Sequence, residues 1–375
     1  MKKLALAFAS LSLLCSCVHQ WPEAEPADVV LTLTFDTEMP YYKTLMFPDE
    51  TKAAPGYVDL LGQDFSDHEN YDIRYTIEAY QLLGNGSYSR EASRRWVFTE
   101  DDASVLDDYT VTLSIDEGEY DFRAWVDFVP QGTKEDYFYK TNDWKEGIKV
   151  NRESGHHGNS DWRDAFSGKK PLEVIRSGSI VEPTSGVIQM SRPLGKYVFV
   201  TNDLDDFVTK VLRTKADEAA KVGDTKAPEF NIEDYTLVIA YTGFMPSSYS
   251  MVTDRANDSE VNVRFSSKLT QVDEHTAIMG FDYVLANPET ATQTNVIMGI
   301  ELRDKDGTVL ASHPQVRVPL NRSQYTVIEG RFLMQESSGG ITLNPDFEGE
   351  FIVPVYYETA YNIDGKHPTS LRGAK

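Results

Sequence analysis

YTVTLSIDEGEYDFRAWVDF, residues 109–128, decides the fold class. From Tyr109 to Ile115 apolar and hydroxyl side chains alternate; beyond Asp116-Glu117-Gly118-Glu119, Tyr120, Phe122, Ala124, Val126 and Phe128 alternate with Asp121, Arg123 and Asp127. A period of two puts successive side chains on opposite faces of an extended chain, so each run reads as a strand with one apolar face. The four-residue break has hairpin length, which predicts two antiparallel neighbours.

The same alternation appears upstream at residues 29–35 (VVLTLTF), with Leu31, Leu33 and Phe35 on one face and Val30, Thr32 and Thr34 on the other, and again at Ile73–Ala79. These strands form one antiparallel first domain, residues 29–182. From Asn151 to Gly186 the text turns to Gly, Ser, His and Pro, which places a boundary near Pro183; Trp162–Val174 is read as the end of the first domain, with Asp161–Phe166 as a candidate short helix. Strand patterns resume at Val187–Met190 and Lys196–Thr201. Leu204, Phe207, Val208, Val211 and Leu212 then fall on one face at helical spacing, with Asp203 as N-cap, Asp205 and Asp206 in the first turn and Lys210, Arg213 and Lys215 later, as the helix dipole favours. This helix should pack across a sheet. Further strand patterns occupy Tyr235–Tyr241, Glu260–Phe265, Ala277–Leu285, Val296–Leu302, Val316–Val318, Tyr325–Phe332 and Phe351–Val355, with a tight turn at Asp306-Gly307. Short strands, one clear helix and almost no βαβ alternation predict a mainly β chain of two tandem antiparallel β-sandwich domains, the second spanning 183–355, with one or two short helices and a tail at 356–375.

Twenty Tyr, 18 Phe and 5 Trp in 375 residues fit that reading. A net charge of -23 argues against nucleic acid and anionic headgroups as main partners, since both need clustered Lys and Arg. Met1-Lys2-Lys3, an apolar run from Leu4 to Leu14 and Leu14-Cys15-Ser16-Cys17 read as a secretory signal, too short to span a bilayer. The last four residues resemble a bacterial lipobox. Small Ser16 before Cys17 makes Cys17 the lipidation site, whereas Cys15 would follow bulky Leu14. Cleavage after Ser16 removes residues 1–16 and both lysines, leaving 34 bases against 59 acids, no disulfide, and a tether over residues 17–28.

Catalytic signatures are absent from the text: no G-x-S-x-G elbow, no P-loop, no G-x-G-x-x-G after a strand, no H-E-x-x-H. His156-His157 with Asp161 and Asp164 is the one candidate metal cluster, and a polar loop explains it better, because adjacent histidines in Gly-rich text have no fixed geometry. Asp304-Lys305-Asp306-Gly307 echoes a calcium loop but lacks the later acidic ligand; a turn explains it better. No catalytic, cofactor or metal residue is therefore assigned, and no enzyme activity is expected. Tyr41, Tyr42, Tyr137, Tyr139, Trp144 and Trp162 could form a platform for sugar rings, although aromatics in such a chain are more often core.

Several phrases taken together resemble the fimbrillin-like lipoproteins of Bacteroidales: Tyr120–Asp127, Tyr137–Asp143, Arg163–Gly168, Met190–Lys196, Val318–Arg322 and Thr326–Leu333, along with the lipobox. The resemblance implies transthyretin-like sandwiches, a lipid anchor in the outer membrane, a surface-exposed location and assembly into fimbriae. In the best-known members a protease removes the first strand, and the groove accepts a strand from another subunit's C-terminal end. By that likeness Val29–Phe35 is the removable strand and the donor follows about Gly340, with Phe351–Val355 suited to the role. One departure stands out: those fimbriae mature by cleavage after Arg, yet the first Arg here is Arg74, and only Lys43 and Lys52 are basic between Asp28 and Arg74. The expected partners are other fimbrial subunits, a host protein or glycan, and the outer membrane through the lipid. A surface glycan-binding lipoprotein is the alternative.

Overall fold

Alternating patterns of this kind need a second layer to bury their apolar faces, and the computed structural model supplies several. It describes residues 26–46, 50–52, 61, 63–101, 103, 106–176, 182–289 and 291–334. Along the first half run β1 (Ala27–Phe35), β2 (Tyr41–Met46), β3 (Glu50–Lys52), β4 (Tyr71–Gln81), β5 (Arg94–Glu100), β6 (Tyr109–Ile115), β7 (Gly118–Pro130), β8 (Tyr139–Lys140), β9 (Ile148–Val150) and β10 (Ala165–Val174). Then follow β11 (Thr184–Met190), β12 (Leu194–Thr201), helix α1 (Leu204–Lys221), β13 (Thr236–Tyr241), β14 (Met245–Ser250), β15 (Arg255–Glu260), β16 (Arg264–Ser267), β17 (Thr270–Gln271), β18 (Ala277–Leu285), β19 (Thr294–Arg303), β20 (Val309–Leu320) and β21 (Tyr325–Gly330). The chain is mainly β, and its five sheets stack as β-sandwich layers.

In the first half, sheet β11-β1-β6 faces sheet β10-β7-β4-β5. The layers meet through Phe35 against Phe166 (ring centroids 5.5 Å apart) and Tyr75 stacked on Tyr109 (3.9 Å). A small sheet, β15-β14-β9-β8, covers the opposite face of β7, where Trp125 meets Tyr139 and Tyr249. In the second half, sheet β17-β18-β12-β21-β2-β3 lies against β16-β13-β19-β20, with Tyr197 and Tyr241 touching between them.

Several expectations change. Residues 109–115 and 118–130 are both strands, yet they are not a hairpin: β6 pairs with β1, while β7 runs between β4 and β10. Both sides of β7 are taken by long partners, so Asp116-Glu117 turns the chain from one layer to the facing one. The charged face of β7 is not solvated either. Asp127 lies directly opposite Arg74 of β4, and the two form a two-pronged pair at 2.7 and 2.9 Å under the small sheet. Not every pairing is antiparallel: β1 with β11, β12 with β21 and β2 with β21 are parallel. Strand β1 starts at Ala27, inside the expected tether. The short helix expected over Asp161–Phe166 is a single 3-10 turn, Asp161–Arg163, and β10 already begins at Ala165. Glu260–Phe265 is split between β15 and β16 at Asn262, whose φ of 59° breaks the extended run.

Strand pairs also cross residue 183 in both directions. β11 completes the sheet of β1, β2 joins β21, and β9 pairs with β14. The division into domains 29–182 and 183–355 stays a proposal; one apolar core runs through both halves. Among the described residues no helix is long and apolar enough to cross a membrane.

Helix α1 lies where periodicity put it, with Asp203 at its N-cap position, but the Asp203 side chain makes no hydrogen bond to the first turn. Its carboxylate instead accepts from Thr201 Oγ1 (2.5 Å) and the backbone N–H groups of Leu333 (3.3 Å) and Met334 (3.0 Å). The helix buries only Leu204 and Phe207, the latter against Tyr235. Beyond that contact a cleft of about 510 Å³ opens between α1 and the β19–β20 turn, floored by Phe207, Val211, Tyr235, Leu310 and Leu333.

Candidate functional site: the seat of the first strand

Strand β1 is the middle strand of its sheet. Seven residue pairs join it to β6 and seven to β11, so its backbone is hydrogen-bonded on both edges. Ala27, Val29, Leu31 and Leu33 are at most 1% exposed and point at the facing sheet. Outward, Thr32 Oγ1 meets Thr110 Oγ1 at 3.0 Å and Thr34 Oγ1 donates to Gln189 Oε1 at 3.0 Å. The seat therefore combines two rows of backbone partners with a row of alternate apolar pockets, the features by which a sheet holds an extended segment.

Beside the seat lies a buried polar knot that ties the halves together. Asp161 accepts from Lys196 Nζ (2.7 Å), Tyr283 OH (2.5 Å) and the Asp64 N–H (2.8 Å). Asp164 holds Arg192 Nε (2.8 and 2.9 Å) and Gln63 Nε2 (2.9 Å). Asp282 faces Arg163 Nη1 (2.9 Å), His156 Nε2 (2.6 Å) and Tyr241 OH (2.6 Å). Burial would raise the Asp282 carboxyl pKa, but the Arg163 charge, with His156 and Tyr241 hydrogen-bonded to the carboxylate, outweighs it and holds it below the usual value. Burial, helped by Arg163, pushes the His156 ring down to about 4. Unpaired, any of these charges would cost several kcal/mol in such a place; the pairing and the added hydrogen bonds are what make the knot tolerable.

Those residues singled out from the sequence that lie among the described ones have these places. Gly155–Gly158, expected as a polar loop, delivers His156 into the knot, its side chain 1% exposed, while His157 turns away to Tyr137 and Ser154. Asp161 and Asp164 are in the same knot, bound to Lys196 and Arg192. Among the described residues no three His, Cys, Asp or Glu side chains group so as to hold a metal ion. Asp304 accepts from the N–H groups of Asp306 and Thr308 and closes the β19–β20 turn, with Gly307 at φ +81°. The six aromatics do not gather: Tyr139, Trp144 and Trp162 are buried, Trp162 stacks on Tyr71, and Tyr41 packs on Tyr325 in another sheet. Arg74 is 1% exposed in β4, and Lys43 and Lys52 lie in β2 and β3. Cys17, the signal at 1–16, the donor candidate Phe351–Val355 and the tail 356–375 lie outside the described residues.

Sequence reasoning missed Arg163, Arg192, Lys196, Asp282 and Tyr283 as a group. A signal existed: Lys196 and Asp282 are single charges in otherwise apolar strand runs, Leu194–Thr201 and Ala277–Leu285. The phrases behind the family resemblance converge here too. Gly195, from one of them, lies so close to Asn321, from another, that a Cβ would sit 2.4 Å from the Asn321 carbonyl oxygen.

A family model described as a family of unknown function, DUF6562, matches residues 23–366. No curated protein matches the sequence. Solved structures similar to it include the fimbrial anchor protein Mfa2 of Porphyromonas gingivalis, at 13% identity, covering 77% of this chain and 82% of that one with a TM-score of 0.33. The tip fimbrial protein Mfa3 of the same organism has 11% identity over 78% and 81%, with a TM-score of 0.34. A chain from Bacteroides eggerthii, provisionally described as a cell adhesion protein, has 10% identity over 86% and 92%, with a TM-score of 0.39.

Proposed function

We propose that this chain, which belongs to the DUF6562 family, is an outer-membrane lipoprotein acylated at Cys17 that acts as a structural and adhesive subunit of cell-surface fimbriae, joined to other subunits by strand donation. The observation that carries the reading is the seat of β1: a single strand, held on both edges, whose alternate side chains fill apolar pockets. Vacating it would expose two rows of unpaired N–H and C=O groups over an apolar floor, a surface that another extended segment satisfies. The knot beside it supports a load-bearing rather than a catalytic use, because its charges are spent on one another.

The absence of Arg between Asp28 and Arg74, and the burial of Arg74, favour a subunit that keeps β1 or loses it to a protease of different specificity. Sheared cell-surface material, blotted unheated and boiled in detergent, tests the reading. A heat-sensitive ladder is expected if the chain polymerises by strand donation; a single heat-insensitive band in every fraction would overturn that role. Palmitate label should follow the chain and disappear in Cys17→Ala, and label persisting in that variant would overturn the anchor.

A further inference from the structure

The five residues between β1 and β2, Asp36–Pro40, carry the chain from one half to the other, and one side chain organises them. Arg192 is 2% exposed, and all five of its N–H donors find acceptors. Nε donates to the Asp164 carboxylate at 2.8 and 2.9 Å. Nη1 donates to the carbonyls of Glu38 (2.7 Å) and Asp36 (3.4 Å). Nη2 donates to the Thr37 carbonyl (2.7 Å) and to Gln63 Oε1 (3.3 Å). The guanidinium lies over the Phe166 ring, 4.7 Å from its centroid, and Phe166 also packs on Phe35, the last residue of β1. Three successive carbonyls thus turn inward onto one buried cation, whose plane and orientation are set by Asp164.

We propose that Arg192 is a clamp on the exit of β1, a positioning residue that decides how long the strand stays seated once the chain is cut. Carbonyls 36–38 are continuous with β1, so a cut on the β2 side of them leaves β1 attached to Arg192 as well as to its two sheet neighbours. A cut at Phe35 leaves it only the neighbours. Lysine cannot replace the clamp: its ammonium has three donors on a flexible stem, without the planar fork that reaches Asp164 and the carbonyls together. The inference rests on the reading of β1 as the exchangeable strand, but its test is made on isolated protein and does not depend on fimbriae.

Two forms of the full mature chain would each carry an inserted site for a specific protease, one between Met39 and Pro40, the other between Phe35 and Asp36. After nicking, loss of the β1 fragment to excess labelled peptide of the same sequence is followed by native mass spectrometry. With the cut after Met39, Arg192→Lys should speed the loss at least about tenfold, since hydrogen bonds to a charged group are worth enough for that factor. With the cut after Phe35, the same substitution should leave the rate unchanged. Equal rates for wild type and Arg192→Lys at the Met39 cut would overturn the clamp, and so would equal acceleration at both cuts, which would mark Arg192 as general scaffolding. If uncut Arg192→Lys fails to melt cooperatively, Asp164→Asn, which keeps the guanidinium but removes its carboxylate, takes its place; it too should act only at the Met39 cut, and no effect there would overturn the proposal.

Discussion

His156 is enclosed by Arg163 and Asp282, with the Tyr241 and Phe265 rings against it and the Arg152 charge nearby. Burial is the largest reason its pKa falls to about 4, and the Arg163 charge adds to it. The folded ring is neutral at pH 7. In the unfolded chain the same ring takes a proton near pH 6.5, so between about 6.5 and 4 the unfolded state binds more protons and stability falls with pH. Over that window the loss is about 3 kcal/mol. Urea midpoints measured from pH 7 to 4.5 should drop steeply in the wild type and less in His156→Gln, whatever the variant's stability at pH 7; parallel slopes would refute the assignment. Carboxylates such as Asp282, held below their usual range, add their own loss only at still lower pH. This residue was not legible in the sequence: two histidines between glycines read as a solvated loop, and the partner that buries one of them lies 126 positions away.

For single elements, pattern and partner separate. The alternation in VVLTLTF, residues 29–35, fixed β1 and its buried face from the text, because a period of two has one geometric meaning. Its neighbours were not legible, since nothing local says that residues 184–190 will lie beside it in parallel. The same holds for β6 and β7, correct as strands and misjudged as a pair. Leu31 fills a pocket with no exposed surface, so Leu31→Ala should cost about 2–5 kcal/mol, whereas Thr32→Val on the outward face should stay within about 0.5 kcal/mol. Denaturant midpoints of the two variants check this; equal effects would mean that β1 is not seated as described. Periodicity likewise found α1, but Asp203 shows where local rules stop. Its carboxylate binds Thr201 and the chain at Leu333 and Met334 rather than its own helix, a tertiary use that outweighs the capping preference.

For the whole molecule, the strand exchanges across residue 183 have a thermodynamic consequence. With β11 in the sheet of β1, β2 beside β21, and the Asp161, Asp164 and Asp282 knot between them, neither half closes its own sheets or satisfies its own charges. Calorimetry should therefore show one transition whose measured enthalpy equals the van't Hoff value, and residues 183–375 expressed alone should fail to fold cooperatively; two resolved transitions would count against this coupling. The strands on either side of residue 183 were legible from their alternation. The threading between them was not, because parallel neighbours distant in sequence leave no local mark.

The parallel pairing of β2 with β21 also governs how tension passes through the molecule. One end of the described chain leads into β2 by way of β1, and the other leaves from β21 at Gly330. Pulling the two ends apart draws adjacent parallel strands in opposite directions along their common axis. Every rung of that ladder is then strained together in shear, and none can be peeled open singly. The contact of β1 with β11, parallel over seven pairs, places a second sheared ladder in series before it. A pull applied between Ala27 and Gly330 therefore meets these ladders in shear rather than strand by strand.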